Sequence, residues 1–208
     1  MSLHDSETPF SKRYWIQRYA AGNTSGPGSH GRLASYKADY VNNFIHNNRI
    51  SSVAEFGVGD GNQLSRMNYP IKFKGYDISE DLLCRLRVRF PQHQFELAWN
   101  KVDRFDLGVS MDVIYHLIED DIYSDYMHNL FEASLHYVII YSSNCQILET
   151  AACHVRHRIF TEFVMRKFPK WRLVKHSRNP FAYSPGKDMK SFSHSDFYTY
   201  MKCQTKPS

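Results

Sequence analysis

The segment 53–64 combines a short apolar run, the acid Glu55 and three glycines at alternate positions, Gly57, Gly59 and Gly61. This pattern is typical of a buried strand, a tight turn and the start of a helix. Glycine lets the backbone bend sharply and admit a ligand against its own peptide groups. The segment therefore predicts a ligand site at a strand-to-helix turn.

The spacing of these glycines separates two classes of ligand. A dinucleotide site has the pattern G-x-G-x-x-G, whose third glycine lets the helix pack on the strand. Asn62 occupies that third position. The pattern Glu-x-Gly-x-Gly-x-Gly instead resembles motif I of the class I S-adenosylmethionine-dependent methyltransferases, in which the turn holds the amino-acid end of the cofactor. A strand-to-helix corner without a ligand is the alternative.

A second acid, Asp77, ends the next predicted strand, sixteen residues after Gly61. A carboxylate can accept hydrogen bonds from two vicinal hydroxyls, and such charge-assisted bonds are stronger than neutral ones. In the methyltransferase family the matching acid holds the ribose of the cofactor, so the resemblance implies that role for Asp77. The alternative is a simple turn in which Ser79 caps a helix.

Asp112 and His116 follow the fourth predicted strand, four residues apart. If a helical turn begins at Asp112, the two side chains share a face, and the carboxylate can orient the imidazole as a base near neutral pH. The segment 105–118 resembles the family's motif IV region, where an in-line methyl transfer needs alignment and, for a hydroxyl acceptor, a base. The prediction is that both residues are catalytic. The alternative is that Asp112 caps the turn and His116 packs beneath it.

The N-terminal segment is rich in aromatic residues and glycines. Residues 14–37 resemble the lead-in of small bacterial and phage methyltransferases, in which an aromatic-rich helix and a glycine-serine loop fold over the cofactor. Such a cover would exclude water. We expect residues 1–32 to form this arm and lid, with cofactor contacts from Trp15, Arg18 and Tyr19. A flexible linker is the alternative.

A helix predicted over residues 155–168 opens with a cluster of basic side chains: His154, Arg156, His157 and Arg158. Guanidinium groups bind phosphate or carboxylate bidentately, so the cluster favours an anionic acceptor such as a phosphorylated sugar or an acidic glycan. Asn144, after the fifth strand, would reach the same cleft. A solvated basic face is the alternative. The spacing of these histidines and His116 is not specific for a metal, and no metal site is predicted.

A sheet must position these residues, because strands and helices alternate along the chain. Strands are predicted over residues 53–56, 71–77, 93–98, 105–111, 137–141, 171–176 and 197–202. Helices are predicted over residues 33–47, 81–90, 120–133 and 155–168. The resemblance implies the Rossmann-like class I methyltransferase fold over residues 33–208, a seven-stranded, mostly parallel α/β sheet with a final antiparallel strand.

Ligands bind an open parallel sheet at the carboxyl ends of its strands, near the point where strand order reverses. This rule adds Ile78, Trp99 and Ser110 to the predicted cofactor contacts. The resemblance places the end of the third strand near the adenine, on which Trp99 could stack. An ordinary packing role for Trp99 is the alternative.

Composition fits one domain, since 208 residues that are 42% hydrophobic can bury a single core. No apolar run approaches the roughly 20 residues of a membrane span, and the start of the chain lacks the hydrophobic region of a secretory signal. The four cysteines form no C-x-x-C pair and fit a reducing environment, so we expect a cytoplasmic protein. The net charge of +5 permits an anionic substrate without requiring a nucleic acid.

The resemblance thus implies a methyltransferase that uses S-adenosylmethionine and releases S-adenosylhomocysteine. We expect the acceptor to be a hydroxyl of a small molecule, a (phospho)sugar or a glycan. A nucleic-acid acceptor, such as RNA, is the competing interpretation and would use the basic residues between 154 and 178. A non-catalytic cofactor-binding scaffold that partners an active enzyme is a further alternative.

Overall fold

The computed structural model describes residues 8–70, 72–98, 103–146, 152–184 and 192–203. Its strands are β1 (Ser52–Phe56), β2 (Lys72–Asp77), β3 (Gln94–Leu97), β4 (Phe105–Met111), β5 (Ser134–Ser142), β6 (Trp171–Ser177) and β7 (Asp196–Lys202). Its helices are α1 (Phe10–Ala20), α2 (Gly31–Asn47), α3 (Glu80–Arg89), α4 (Asp120–Glu132) and α5 (Phe160–Lys167).

The strands form one sheet in the order β3-β2-β1-β4-β5-β7-β6. The first five are parallel, and β7 runs antiparallel to both of its neighbours, β5 and β6. This arrangement confirms the predicted fold class. Strand order reverses between β1 and β4, so the crevice that binds ligands in such sheets lies beyond Phe56 and Met111.

Helices cover both faces of the sheet because side chains alternate along each strand. Ala54 and Phe56 of β1 pack with the cluster of α4 and α5, whereas Val53 packs with the cluster of α2 and α3. Helix α2 buries one stripe at helical spacing, which consists of Leu33, Ala34, Lys37, Ala38, Val41 and Ile45. Lys37 is the charged member of this stripe.

One predicted helix begins later than its sequence pattern suggests. Helix α5 starts at Phe160, not at residue 155, so the basic cluster lies in an irregular segment instead of a first helical turn. The reason is tertiary, since the backbone N–H of Arg156 donates to the carbonyl of Tyr115 at 2.7 Å. In the described part of the chain, no helix is long and apolar enough to cross a membrane.

Candidate functional site

A cavity, here called the ligand cavity, lies at the carboxyl ends of β1, β2 and β4, beneath α1. The space between its walls, counted out into the solvent at its open mouth, is about 760 Å³. It brings together nine residues predicted from the sequence: Trp15, Tyr19, Glu55, Gly57, Gly59, Asp77, Ile78, Asp112 and His116. Sequence reasoning missed several others that line it, notably Lys37, Gln63 and Tyr126.

Asp77 joins the end of β2 to the glycine turn. Its buried carboxylate accepts hydrogen bonds from the backbone N–H groups of Gly59 at 3.0 Å, Ile78 at 2.8 Å and Ser79 at 3.4 Å. Burial raises the pKa of Asp77 to about 6, although these hydrogen bonds oppose the shift. Because a carboxylate has about four acceptor positions, Asp77 can accept a further hydrogen bond from a ligand hydroxyl.

Two buried acceptors in the cavity wall lack a donor among the described residues. Glu55 Oε2 has no hydrogen-bond partner there, and neither has Gln63 Oε1. The Gln63 amide is oriented by its Nε2, which donates to the carbonyl of Ala34 at 3.0 Å. Burial raises the pKa of Glu55 to about 8. The nearby Tyr69 hydroxyl and Lys37 ammonium both act to lower this pKa, but the effect of burial is larger. Since unsatisfied buried acceptors are costly, this wall favours a ligand with a hydrogen-bond donor, above all a cation.

The glycine turn is shaped by close approaches as well as by its backbone. Gly57 has a φ of 76°, and a Cβ there would lie 2.5 Å from Val113 Cγ2. Gly59 has a φ of 60°, and a Cβ there would collide with Ser25 Oγ. Gly61 faces away from the cavity, because a Cβ there would meet Leu86 of α3 and Phe90, which directly follows that helix.

The loop after α1 is tied to the glycine turn by reciprocal hydrogen bonds. Ser25 N donates to Asp60 Oδ2 at 2.7 Å, and Asp60 N donates to Ser25 Oγ at 2.9 Å. The Tyr19 hydroxyl lies 3.1 Å from the same Ser25 oxygen. The Asn62 side chain donates to the carbonyl of Ser29. The N-terminal segment therefore covers the turn, with Trp15 and Tyr19 in the cavity wall.

Asp112 pairs with Lys37 and not with His116. Its Oδ2 accepts from Lys37 Nζ at 2.7 Å, while its Oδ1 accepts from the hydroxyls of Tyr115 at 3.0 Å and Ser195 at 3.4 Å. The expected helical turn from Asp112 does not form, because Asp112 has a φ of 58° and the 3-10 turn begins at Ile114. The carboxylate therefore does not orient the imidazole.

His116 is instead positioned by the backbone of residue 154. Its Nδ1 lies 3.0 Å from the carbonyl oxygen of His154, which can only accept, so Nδ1 carries the proton and Nε2 keeps a lone pair. The ring of Trp15 packs edge-on at 4.7 Å. Burial lowers the pKa of His116 to about 4. At neutral pH the side chain is a neutral hydrogen-bond acceptor, not the near-neutral base expected from the sequence.

No protein-family model and no curated protein sequence matches this chain. Solved structures with the same architecture do match. N-methyltransferase NodS from Bradyrhizobium japonicum WM9, in complex with S-adenosyl-l-homocysteine, has a TM-score of 0.69 at 11% identity, over 93% of this chain and 100% of its own. Magnesium protoporphyrin IX methyltransferase from Synechocystis PCC 6803 with bound SAH has a TM-score of 0.65 at 12% identity, over 92% and 97%. The fold is that of the class I methyltransferases.

A third match to this methyltransferase fold is the small RNA methyltransferase HEN1. Its TM-score is 0.62 at 16% identity, over 85% of this chain and 26% of that longer chain. The names of the three matches thus include an N-methyltransferase, a porphyrin methyltransferase and an RNA methyltransferase. The shared fold does not by itself select an acceptor.

Three residues predicted for the cofactor lie outside the lining of the ligand cavity in this methyltransferase fold. Arg18 donates from Nε to the carbonyl of Thr24 at 2.8 Å and lies over the ring of Trp15. The Ser110 hydroxyl lies 2.6 Å from the hydroxyl of Tyr126. Gly61 packs against α3, as described above. Trp99 falls outside the described residues.

The basic cluster is partly engaged by the protein itself. Arg158 donates to the carbonyl of Leu117 at 2.6 Å and to Asp120 at 3.0 Å, and Arg156 donates to the carbonyl of Ile118 at 2.8 Å. These contacts fix the segment that follows His116. Both arginines and His157 line a second cleft, here called the basic cleft, which also includes Arg166, Tyr123 and Gln146 and the two acids Asp120 and Glu162.

The remaining predicted substrate contacts also have partners within the protein. His157 Nδ1 lies 2.6 Å from Ser143 Oγ, and the His154 ring stacks on Tyr14 at 4.4 Å. Asn144 Oδ1 accepts from Thr161 N at 3.2 Å, in the first turn of α5. Among the described residues, no group of three or more His, Cys, Asp or Glu side chains is arranged to hold a metal ion.

The residues missed from the sequence left different signals. Lys37 could have been found, because a lysine within an otherwise apolar helical stripe is unusual. Gln63 left no such signal, since a glutamine after a glycine turn is ordinary.

Proposed function

We propose that this protein binds S-adenosylmethionine in the ligand cavity and transfers its methyl group to a hydroxyl of a small molecule or sugar. The observation that carries the proposal is the charge of the cavity wall. At neutral pH and without a ligand, the charged carboxylates of the wall are those of Asp77 and Asp112. The pKa of Glu55 is about 8, so Glu55 ionises when a cation binds. Lys37 supplies the one ammonium among the described lining residues. Such a wall favours a ligand with net positive charge and disfavours the pyrophosphate of a dinucleotide.

The residues of the cavity fit the separate parts of this cofactor. Asp77 has an acceptor position left for the ribose hydroxyls, and Glu55 and Gln63 offer unpartnered oxygens to the ammonium of the amino-acid end. Trp15 and Tyr19 exclude water from above. When bound, S-adenosylmethionine supplies an electrophilic methyl group on a positively charged sulfur.

Asp112 and His116 are the proposed acceptor-side residues, because both line the cavity at the end of β4. The lone pair on His116 Nε2 can accept a hydrogen bond from an acceptor hydroxyl and so orient its oxygen. Since its pKa is about 4, we assign His116 mainly to orientation. The acceptor proton then passes to water, or to Nε2 of His116, which turns the neutral imidazole into a transient imidazolium.

The basic cleft is the proposed location for the rest of the acceptor. The Arg156 side chain is 49% exposed although it pairs with Asp120, so it can still face a phosphate or carboxylate of the acceptor. His157 and Arg158 also line this cleft, and through their contacts with Ser143 and Asp120 they would shape it rather than carry charge to it. His154 and Asn144, which do not line the cleft, stay predicted acceptor contacts.

The proposal is tested by methyl transfer from S-adenosylmethionine with an isotope-labelled methyl group. The purified protein is incubated with separate pools of sugars, sugar phosphates, small hydroxylated metabolites and RNA, and mass spectrometry follows the label. Label on a hydroxyl of a small molecule or sugar, lost in Asp77→Ala, supports the proposal. Label on RNA alone would overturn the acceptor assignment, and failure to bind the cofactor would overturn the function.

A further inference from the structure

Lys37 of α2 and Asp112 after β4 form an ion pair in the wall of the ligand cavity. The ammonium and the carboxylate are 2.7 Å apart, and the side chains are 1% and 16% exposed. The two residues are 75 positions apart in the sequence. Both line the cavity, so the pair belongs to the ligand site and to the packing of α2 on the sheet.

The Asp112 carboxylate is fixed on every side that the structure describes. Tyr115 and Ser195 donate to Oδ1, and Lys37 donates to Oδ2. The loop after α1 also lies close to this carboxylate, since a Cβ on Gly28 would be 3.0 Å from Oδ2. Its backbone is held at a φ of 58°, a conformation that a non-glycine residue keeps only where its surroundings impose it.

A carboxylate that is fixed in this way and only 16% exposed interacts more strongly with a nearby charge than a carboxylate in bulk water does. Methyl transfer removes the positive charge from the sulfur, so the donor carries a cation that the product lacks. An unpaired carboxylate would bind the donor tightly without helping the transition state, in which that charge is being lost. Lys37 offsets this attraction.

We propose that the Lys37–Asp112 pair is a charge-balancing device that sets the preference of the cavity for the sulfonium donor over the thioether product. The inference rests on the proposed function, because it assumes that S-adenosylmethionine and S-adenosylhomocysteine both occupy this cavity. Asp112 supplies attraction for the sulfonium, and Lys37 limits it. The other carboxyl groups in the wall, Glu55 and Asp77, have no lysine or arginine within ion-pair distance among the described residues.

The test measures the dissociation constants of S-adenosylmethionine and S-adenosylhomocysteine by calorimetry and compares their ratio between variants. Lys37→Met should raise the preference for S-adenosylmethionine by about fivefold or more, because Asp112 loses its counter-charge. Asp112→Asn should lower the preference by a similar factor. The double variant should return close to the wild-type ratio, since both charges are gone.

Two controls separate this role from a purely structural one. Lys74→Met removes another buried lysine, which pairs with Glu96 at 2.7 Å and Asp103 at 2.6 Å outside the cavity lining. It should lower stability and leave the ratio unchanged. Lys37→Arg keeps the charge and should also leave the ratio near the wild-type value; Asp112→Asn tests the proposal independently if Lys37→Met does not fold.

The outcomes are distinct. If the wild-type protein binds both ligands and Asp112→Asn leaves their ratio unchanged, the charge-balancing role is overturned while the proposed function stands. Equal weakening of both ligands in the single variants also overturns it, because that result means the pair only supports the fold. If the wild-type protein binds neither ligand, the proposed function itself fails, and this inference with it.

Discussion

The Asp77 carboxylate accepts a hydrogen bond from the backbone N–H of Gly59 at 3.0 Å. This contact locks the end of β2 to the glycine turn that follows β1, although the two residues are 18 positions apart. The predicted turn and the predicted ribose acid are therefore one unit. A change in either is expected to alter the ligand cavity as a whole.

Asp77→Ala should weaken the binding of S-adenosylmethionine and of S-adenosylhomocysteine by the same amount, about 1.5 to 3 kcal/mol, which is the scale of hydrogen bonds to a charged group. Calorimetry measures both affinities. Asp106→Ala is the matched control. Asp106 also accepts hydrogen bonds from backbone N–H groups, those of Ser51 and Ser52, but it lies at the amino end of β4, away from the ligand cavity. This variant should lower stability and leave the affinity for both ligands unchanged. Equal affinities in wild type and Asp77→Ala would remove the ribose role.

Cofactor affinity should rise with pH up to about pH 8. The pKa of Glu55 is raised to about 8 and that of Asp77 to about 6, and the ligand ammonium and hydroxyls favour the charged carboxylates. At a pH below these pKa values, the carboxyl groups must therefore release their protons when the cofactor binds. Each pH unit by which the solution is made more acidic then lowers the affinity by up to about tenfold for each linked proton. Titration with S-adenosylhomocysteine between pH 6 and 8.5 checks this, and a flat profile would contradict it.

Glu55→Gln should stabilise the protein without ligand at pH 8.5 and lower its affinity for the cofactor. The folded-state pKa of Glu55, about 8, exceeds its ordinary value of 4.5, so the folded protein retains a proton that the unfolded chain loses. Stability therefore falls as pH rises from about 4.5 to 8, and the neutral amide avoids this loss. Thermal unfolding at pH 5 and pH 8.5 measures the difference, and a gain of equal size at both values would contradict the account.

His116→Ala should leave cofactor affinity intact and slow methyl transfer. The side chain is assigned to acceptor orientation, and its pKa of about 4 predicts no change in its charge between pH 6 and 8. Its depressed pKa also predicts that the wild-type protein loses stability as pH falls from 6.5 towards 4, because the unfolded chain takes up the proton first. Full activity in His116→Ala, once an acceptor is known, would dismiss this role.

Gly57→Ala should disrupt the cavity more than the same change at Gly22. Both glycines have nearly the same φ, 76° and 77°, so the backbone strain of an added Cβ is similar. Only at Gly57 does the new atom meet a neighbour, Val113. Calorimetry and thermal unfolding should show weaker binding and lower stability for Gly57→Ala beyond the roughly 1 kcal/mol expected at Gly22. Equal effects would mean that the close approach is unimportant.

The local features of this fold could be predicted from the sequence because they depend on short-range pattern. The glycine turn, Asp77 at the end of β2 and the Ser79 cap, whose Oγ accepts from Leu82 N at 3.4 Å, all follow from neighbouring residues. The Lys37–Asp112 pair and the late start of α5 depend on contacts between distant segments. Periodicity carries no information about such contacts. The prediction that the Asp112 carboxylate orients the His116 imidazole was therefore wrong, because Asp112 pairs with Lys37 and His116 contacts the carbonyl of His154.

The central claim is that the ligand cavity binds a sulfonium cofactor and not a dinucleotide. Calorimetry of the wild-type protein with S-adenosylmethionine, S-adenosylhomocysteine and NADH at pH 8 tests it most directly. The account predicts that the first two ligands bind and that NADH neither binds nor displaces them. Binding of NADH in preference to both would contradict it.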